Sequence, residues 1–454
     1  MKIETLIAMN RFGFGGNQGD AKRIGSDPRG WSNSQIRDSQ STPAVLSNFR
    51  SSEEIFTEVN RARMESRETL RKLMRNLYKT DFARECMARA GHMVGTKDPF
   101  AERMVLFWSN HFTVSRSKWI VGPIIPAYER EVIRPNIFGK FSEMLAAVVQ
   151  HPAMITYLDN HLSVGSNSNV GRRRIARKGI KTTLNENLAR EILELHTLGV
   201  DGGYTQQDII ELAKSISGWS HGGIRRGPHY SIDSRAVFRF EDSIHEPGHK
   251  IILGKRYREN GVHEGLQALE DLARHPSTAL FIATKLVRHF VSDDPPNDAV
   301  AKIAKVFSDT EGDLAAVSNA IVELDEVWAT PLPKVKSAYE LIIAAHRSVG
   351  DINPKVKNVL QPLRELGQLP FSAPSPQGWG DRSQDWIAPT ALIRRVQWLR
   401  RYSRQLPSTV IPNEIAKYTI GPVAEENTEK WIGLATSRDA ALATLFASPE
   451  FQRR

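Results

Sequence analysis

Apolar residues recur at spacings of three to five along most of this chain, the period of amphipathic helices. Ile55, Val59 and Met64, then Leu70, Leu73, Met74 and Leu77, trace such a stripe through residues 52–95. The same period predicts helices near 101–111, 138–150, in pieces over 263–328, from Ser337 onward, and at 438–446. Gly122-Pro123 and Pro126 break the pattern between the first two of these. A helix over 184–198 should end at Gly199, where a left-handed cap suits glycine. Thr205, with Asp208 three residues on, opens a further helix as a capping box and carries it to Gly218. Only 237–240 and 250–253 have strand character, and Pro247-Gly248 between them predicts that they pair as a hairpin. The expected fold is mainly α: a multi-helix body with a small inserted β-hairpin.

Turn signals divide the chain further. We expect an N-terminal helical region at 1–160, a basic flexible loop at 161–183 and a helical hairpin at 184–232. A β-hairpin insert at 233–258 and a helical region at 259–330 come next. The C-terminal helical region, 331–454, is interrupted by a loop rich in proline and tryptophan at 369–389.

The helix over 184–198 holds the first candidate chemistry. At 100° per residue, Leu184, Leu188, Ile192 and Leu195 form one apolar stripe. Glu186, Arg190 and Glu194 form an ion-pair ladder on another side. Asn187 and Glu191 border the stripe, and Leu193 lies opposite it, so the helix buries two sides and part of Glu191 with them. A buried carboxylate needs a partner. Either an arginine from a neighbouring helix pairs with Glu191 structurally, or Glu191 and Asn187 line a polar pocket. His111, His151 and Asp159, the last beside Asn160, are further candidate polar or acid–base groups.

Several familiar chemistries are excluded. Gly13-x-Gly15 lacks the third glycine of a dinucleotide loop, and no Gly-x-Ser-x-Gly elbow occurs. A paired-helix di-metal site wants Glu-x-x-His, but His196 is two residues beyond Glu194 and diverges from it on an α-helix. His245 and His249 have a metal-like spacing yet fall in a turn, so they are weak candidates only. No metal and no cofactor are expected. The single cysteine, Cys86, sits in the apolar stretch 82–87 and reads as an inert buried thiol.

The 454 residues carry a net charge of +10. The excess is local: residues 160–185 contain no acid, whereas Arg172, Arg173, Arg174, Arg177, Lys178 and Lys181 add six positive charges. This run is a candidate anion-binding loop for weak, salt-sensitive contact with a polyanion. No apolar run approaches the roughly 18 residues of a membrane span. The apolar part of the N-terminus, residues 6–9, is too short for a signal-peptide core. The default expectation is a cytoplasmic protein, with an envelope location left open.

Eight segments together carry a family resemblance: NRFGFG (10–15), FWSNHF (107–112), HPAMITYLDN (151–160), NENLAREILELHTLGVDGGYTQQDI (185–209), GWS (218–220), KLVRHFVSDDP (285–295), PQGWGD (376–381) and SPEFQRR (448–454). In this order they resemble the bacterial family known as domain of unknown function 1800. The resemblance implies frequent export and a sulfatase-like partner protein, and it implies no catalytic residue or cofactor. On this basis the expected role is a non-catalytic envelope or secretion-associated protein acting with a partner. The alternatives are an enzyme with a polar pocket around Glu191, His111 and His151, and a polyanion-binding module using the basic run.

Overall fold

The computed structural model describes residues 1–36, 42–178, 184–223 and 235–454. The elements that position the site are α1 (Ile3–Arg11), α2 (Ser52–Glu65), α3 (Arg67–Leu77), α4 (Ala83–Gly95), α5 (Pro99–His111), α6 (Phe141–Gln150), α7 (Asn169–Lys178), α8 (Asn187–Glu191), α9 (Gln206–Ser215), α10 (Val262–Ala273), α11 (Pro276–Phe290), α12 (Asn297–Asp309), α13 (Ala338–Ser348), α14 (Pro389–Gln405) and α15 (Arg438–Ala447). Shorter helices and turns join them, and the fold is mainly α. No described helix is long and apolar enough to cross a membrane.

Local chemistry explains where the helices start. Ser51 and Glu54 close a capping box on α2, Thr205 and Asp208 on α9, and Ser337 and Glu340 on α13. Pro99 and Pro276 occupy the first turns of α5 and α11, where a missing N–H costs nothing. Gly199 has φ +85°, the left-handed conformation predicted for it.

The buried apolar residues form two main clusters. The larger draws on α1, α2, α5, α6 and α10 to α12, with Phe12, Phe100, Trp108, Phe141 and Phe290 in contact. The smaller is built from α4, α13, α14 and α15 around Met93, Ile342, Trp398, Tyr402 and Phe446. Helix α5 lies at the seam: Trp108 belongs to the first cluster, while Leu106 packs on the second. Cys86 is a buried free thiol.

Three sequence expectations change. The predicted strands do not pair with each other. β1 (Trp219–His221) pairs antiparallel with β2 (Phe238–Phe240), and β3 (Lys250–Ile252) with β4 (Lys255–Tyr257). The turn that decides this is Leu253-Gly254, both at positive φ, which closes β3 on β4 in two residues. Pro247-Gly248 instead belongs to the connection between the two sheets.

Second, the helix over 184–198 is not continuous. α8 passes into a π-helix at Ile192–Thr197, marked by the Leu198 N–H donating to the Leu193 carbonyl at 3.0 Å. The wider turn rotates the residues after Glu191 about the helix axis. The ion-pair ladder therefore keeps only Arg190–Glu186, at 3.3 Å.

Third, the basic run is not a loop where it is described. Residues Asn169–Lys178 form α7, with Arg172, Arg173, Arg174 and Arg177 exposed. Lys181 lies outside the described residues, as does the junction at 224–234 between the predicted helical hairpin and the β insert.

Candidate functional site

At the seam between the two clusters lies a cavity of about 490 Å³. Helical periodicity aims the side chains into it. From α5 come Arg103, Phe107, Asn110 and His111, at spacings that share one helix face. From α11 come Lys285, Arg288 and His289, again one face. The first turn of α13 adds Ser337 and Glu340. The proline- and tryptophan-rich loop closes the cavity with Phe371, Trp379, Asp381 and Trp386. Asn110 holds that loop through a reciprocal pair: its Nδ2 donates to the Trp379 carbonyl at 2.9 Å, and its Oδ1 accepts from the Trp379 N–H at 2.7 Å.

Two carboxylates, the buried Glu340 and the half-buried Asp381, anchor the electrostatics. Glu340 accepts from Arg103 and lies 2.9 Å from Arg454 Nε. Burial pushes its acidity down, but the two guanidiniums outweigh burial and hold the carboxyl well below the usual range. Asp381 faces His289 at 3.1 Å, Arg454 at 3.5 Å and Lys334 at 3.9 Å. Against burial, these hold it below the ordinary carboxylate value too.

The imidazoles are neutral. Burial pushes His289 down to about 4, with Asp381 opposing. In a neutral ring beside a carboxylate, Nδ1–H donates to Asp381. His111 is pushed well below its ordinary value by burial and by the charge of Lys285. Its Nε2 donates to the His196 carbonyl at 3.1 Å, which leaves Nδ1 to accept from Lys285 Nζ at 3.0 Å.

The cations outnumber their partners. Arg103 and Arg454 are taken by Glu340, and Lys334 by Asp293 at 2.7 Å. Lys285 bonds a neutral imidazole, and burial pushes it down to about 8, Asp381 opposing and Arg288 reinforcing. Arg288 bonds no acid among the described residues, and its Nε is buried without a partner.

Of the candidates read from the sequence, only His111 lines this cavity. Glu191 is half-buried and has no hydrogen bond or ion pair among the described residues; burial and Glu194 push its carboxyl up to about 7. Among the described residues no arginine from a neighbouring helix pairs with it, and the adjacent Arg190 of its own helix is held by Glu186 and Gln206. His151 caps the helix Pro152–Tyr157 through the Ala153 N–H and sits 3.2 Å from Glu131. Asp159 pairs with Lys118 at 2.5 Å, and Asn160 holds the carbonyls of Ile216 and Trp219. Asn187 is exposed at the start of α8.

His245 and His249 do not form a site together. His245 Nδ1 lies 2.7 Å from the Ser217 carbonyl and Nε2 lies 3.0 Å from the buried Glu264, which also takes Lys250 at 2.6 Å. His249 is exposed, because the intervening Pro247-Gly248 turns it to solvent. Among the described residues, no group of three or more His, Cys, Asp or Glu is placed to hold a metal ion.

Sequence reasoning missed Lys285, Arg288, His289, Asp381, Glu340 and Arg103. A signal for several of them was present. FWSNHF, KLVRHFVSDDP and PQGWGD each supply cavity residues, and SPEFQRR supplies Arg454 behind them. Segments far apart in the chain meet at one place.

A family model described as Protein of unknown function (DUF1800) matches residues 7–453, nearly the whole chain. No curated protein and no solved structure matches.

Proposed function

The chain belongs to the DUF1800 family, and from that premise we propose that its seam cavity binds a small organic anion between Lys285 and Arg288. The observation that carries this reading is the charge imbalance. The other lysine and arginine side chains that line the cavity each pair with a carboxylate, Arg89 with Glu129, Arg103 with Glu340 and Arg382 with Asp294, whereas among the described residues these two pair with none. Unpaired partly buried charge is unfavourable for folding, and such arrangements concentrate where a ligand completes them. The volume is that of a small-molecule site. Phe107, Phe371, Trp379 and Trp386 offer apolar wall for the organic part.

This reading departs from the expectation of a non-catalytic protein acting with a partner. It keeps the alternative of a polar pocket, retains His111, and replaces Glu191 and His151 with Lys285, Arg288, His289 and Asp381. Neither a sulfatase-like partner nor polyanion contact through α7 gains support from the geometry.

The test is calorimetric titration with acetate, lactate, phosphate and sulfate. At least one carboxylate should bind the wild type, and Arg288→Gln should weaken it by about tenfold or more, the loss of one charge-assisted hydrogen bond. Equal binding to wild type and Arg288→Gln would overturn the reading.

A further inference from the structure

Among the described residues Lys285 is the one amine in the cavity wall, and three features set it apart from a surface lysine. Its Nζ has a neutral imidazole as its hydrogen-bond partner, where a carboxylate would hold the ammonium charged. That imidazole cannot turn: His111 is buried, its ring packs edge-on against Trp108 and Phe112, and its Nε2 is tied to the His196 carbonyl. Burial outweighs Asp381, the facing charge that favours the ammonium, and Arg288 works against it. Arg288 lies on its own helix, His111 on α5 and His196 on the π-helix, both imidazoles neutral, and Asp381 is already shared by His289, Lys334 and Arg454.

We propose that Lys285 is a catalytic amine that forms an imine with a carbonyl compound bearing a carboxylate, such as a 2-oxo acid or glyoxylate, whose carboxylate is held by Arg288. This rests on the seam cavity being an anion site. The neutral amine donates one N–H to His111 Nδ1 and keeps its lone pair. The lone pair attacks the carbonyl carbon, the adding nitrogen passes one of its two protons to the carbonyl oxygen, and a second proton from water lets the carbinolamine hydroxyl leave as water. One C–N bond forms and the C–O bond breaks, with no oxidant or reductant. The product iminium places its positive charge where the ammonium stood. With Lys285 near 8 against 10.5 for an ordinary lysine, its neutral fraction at pH 7 is larger by on the order of a few hundredfold.

The experiment is reductive trapping. Full-length protein is incubated with glyoxylate and sodium cyanoborohydride at pH 7, and the carboxymethylated lysines are located by peptide mass mapping. The expected result is a single fast adduct at Lys285, formed at least about tenfold faster than the mean of the exposed lysines. It should saturate with glyoxylate and be slowed by lactate, which carries the carboxylate but no carbonyl. Lys285→Arg should remove the fast adduct. Adducts spread over surface lysines without preference for Lys285 would overturn the proposal. If lactate binds by calorimetry while Lys285 stays unlabelled, the anion site stands and the imine chemistry falls. If no carboxylate binds by calorimetry and no labelling of Lys285 is seen, both fall.

Discussion

Glu340 shows how much a single carboxylate can organise. It closes the capping box of α13, accepts from Arg103 of α5, and receives Arg454 from the far end of the chain. Removing its charge leaves two buried guanidiniums facing each other. Glu340→Gln should therefore cost about 3–5 kcal/mol in urea unfolding. The same cluster dictates an acid response. Glu340 and Asp381 lie below their unfolded values, so their stabilisation is complete above the ordinary carboxylate range and is lost as pH falls below it. His289, pushed down to about 4 from 6.5, is charged in the unfolded chain before it is charged in the fold, so it too loses stability as pH falls, between 6.5 and 4. Unfolding free energies should fall as pH drops from 6.5 to 4 and further below 4, and a flat profile over that range would contradict the assignments. Glu191 runs the other way. With its carboxyl pushed up to about 7, its charge disfavours the fold once pH rises above the unfolded value. Glu191→Gln should raise the melting temperature at pH 8 and leave it unchanged at pH 4. A large loss at pH 8 would show a cation partner that the geometry lacks.

At the scale of elements, the helices and their caps were legible because each is decided locally. Thr205-x-x-Asp208 is a capping box in sequence and in structure, and the helix expected from Ser337 onward starts there, on a box closed by Ser337 and Glu340. Gly199 is the left-handed residue its position demands, and a Cβ there would also meet the Phe281 ring at 2.8 Å. Gly199→Val should cost roughly 2–4 kcal/mol, from backbone strain and overpacking together; an unchanged urea midpoint would contradict this. The π-helix was not legible. Its extra residue per turn is invisible to a fixed 100° period, and it moves His196 to a fully buried position against Phe112 and His111. Strand pairing was misread because Pro247-Gly248 reads as the turn, whereas the chain turns at Leu253-Gly254, at the end of the stretch 250–253 expected as a strand. The tryptophan loop depends on Gly378, at φ +84°, where a Cβ would sit 2.5 Å from the Asn110 carbonyl oxygen. Gly378→Ala should detach the loop from α5. Near-ultraviolet dichroism of Trp379 and Trp386 should change while helical content stays the same.

The whole molecule explains why the site was hidden. The cavity exists only where α5, α11, the start of α13 and the 369–389 loop meet, and no sequence window contains two of them. Glu191 looked special because it borders an apolar stripe on its own helix, which is local information. Lys285 and Arg288 are two polar positions of one helix until α5 and the loop pack over them. Their lack of acids is a property of the assembled seam between two apolar clusters. The most direct test of the anion site is a crystal structure of the protein grown with lactate, which binds as a carboxylate and cannot form an imine. The account predicts one lactate in the cavity, its carboxylate within hydrogen-bond distance of both Lys285 Nζ and the Arg288 guanidinium. A cavity holding only water, with lactate on exposed arginines such as Arg172 or Arg173, would contradict it.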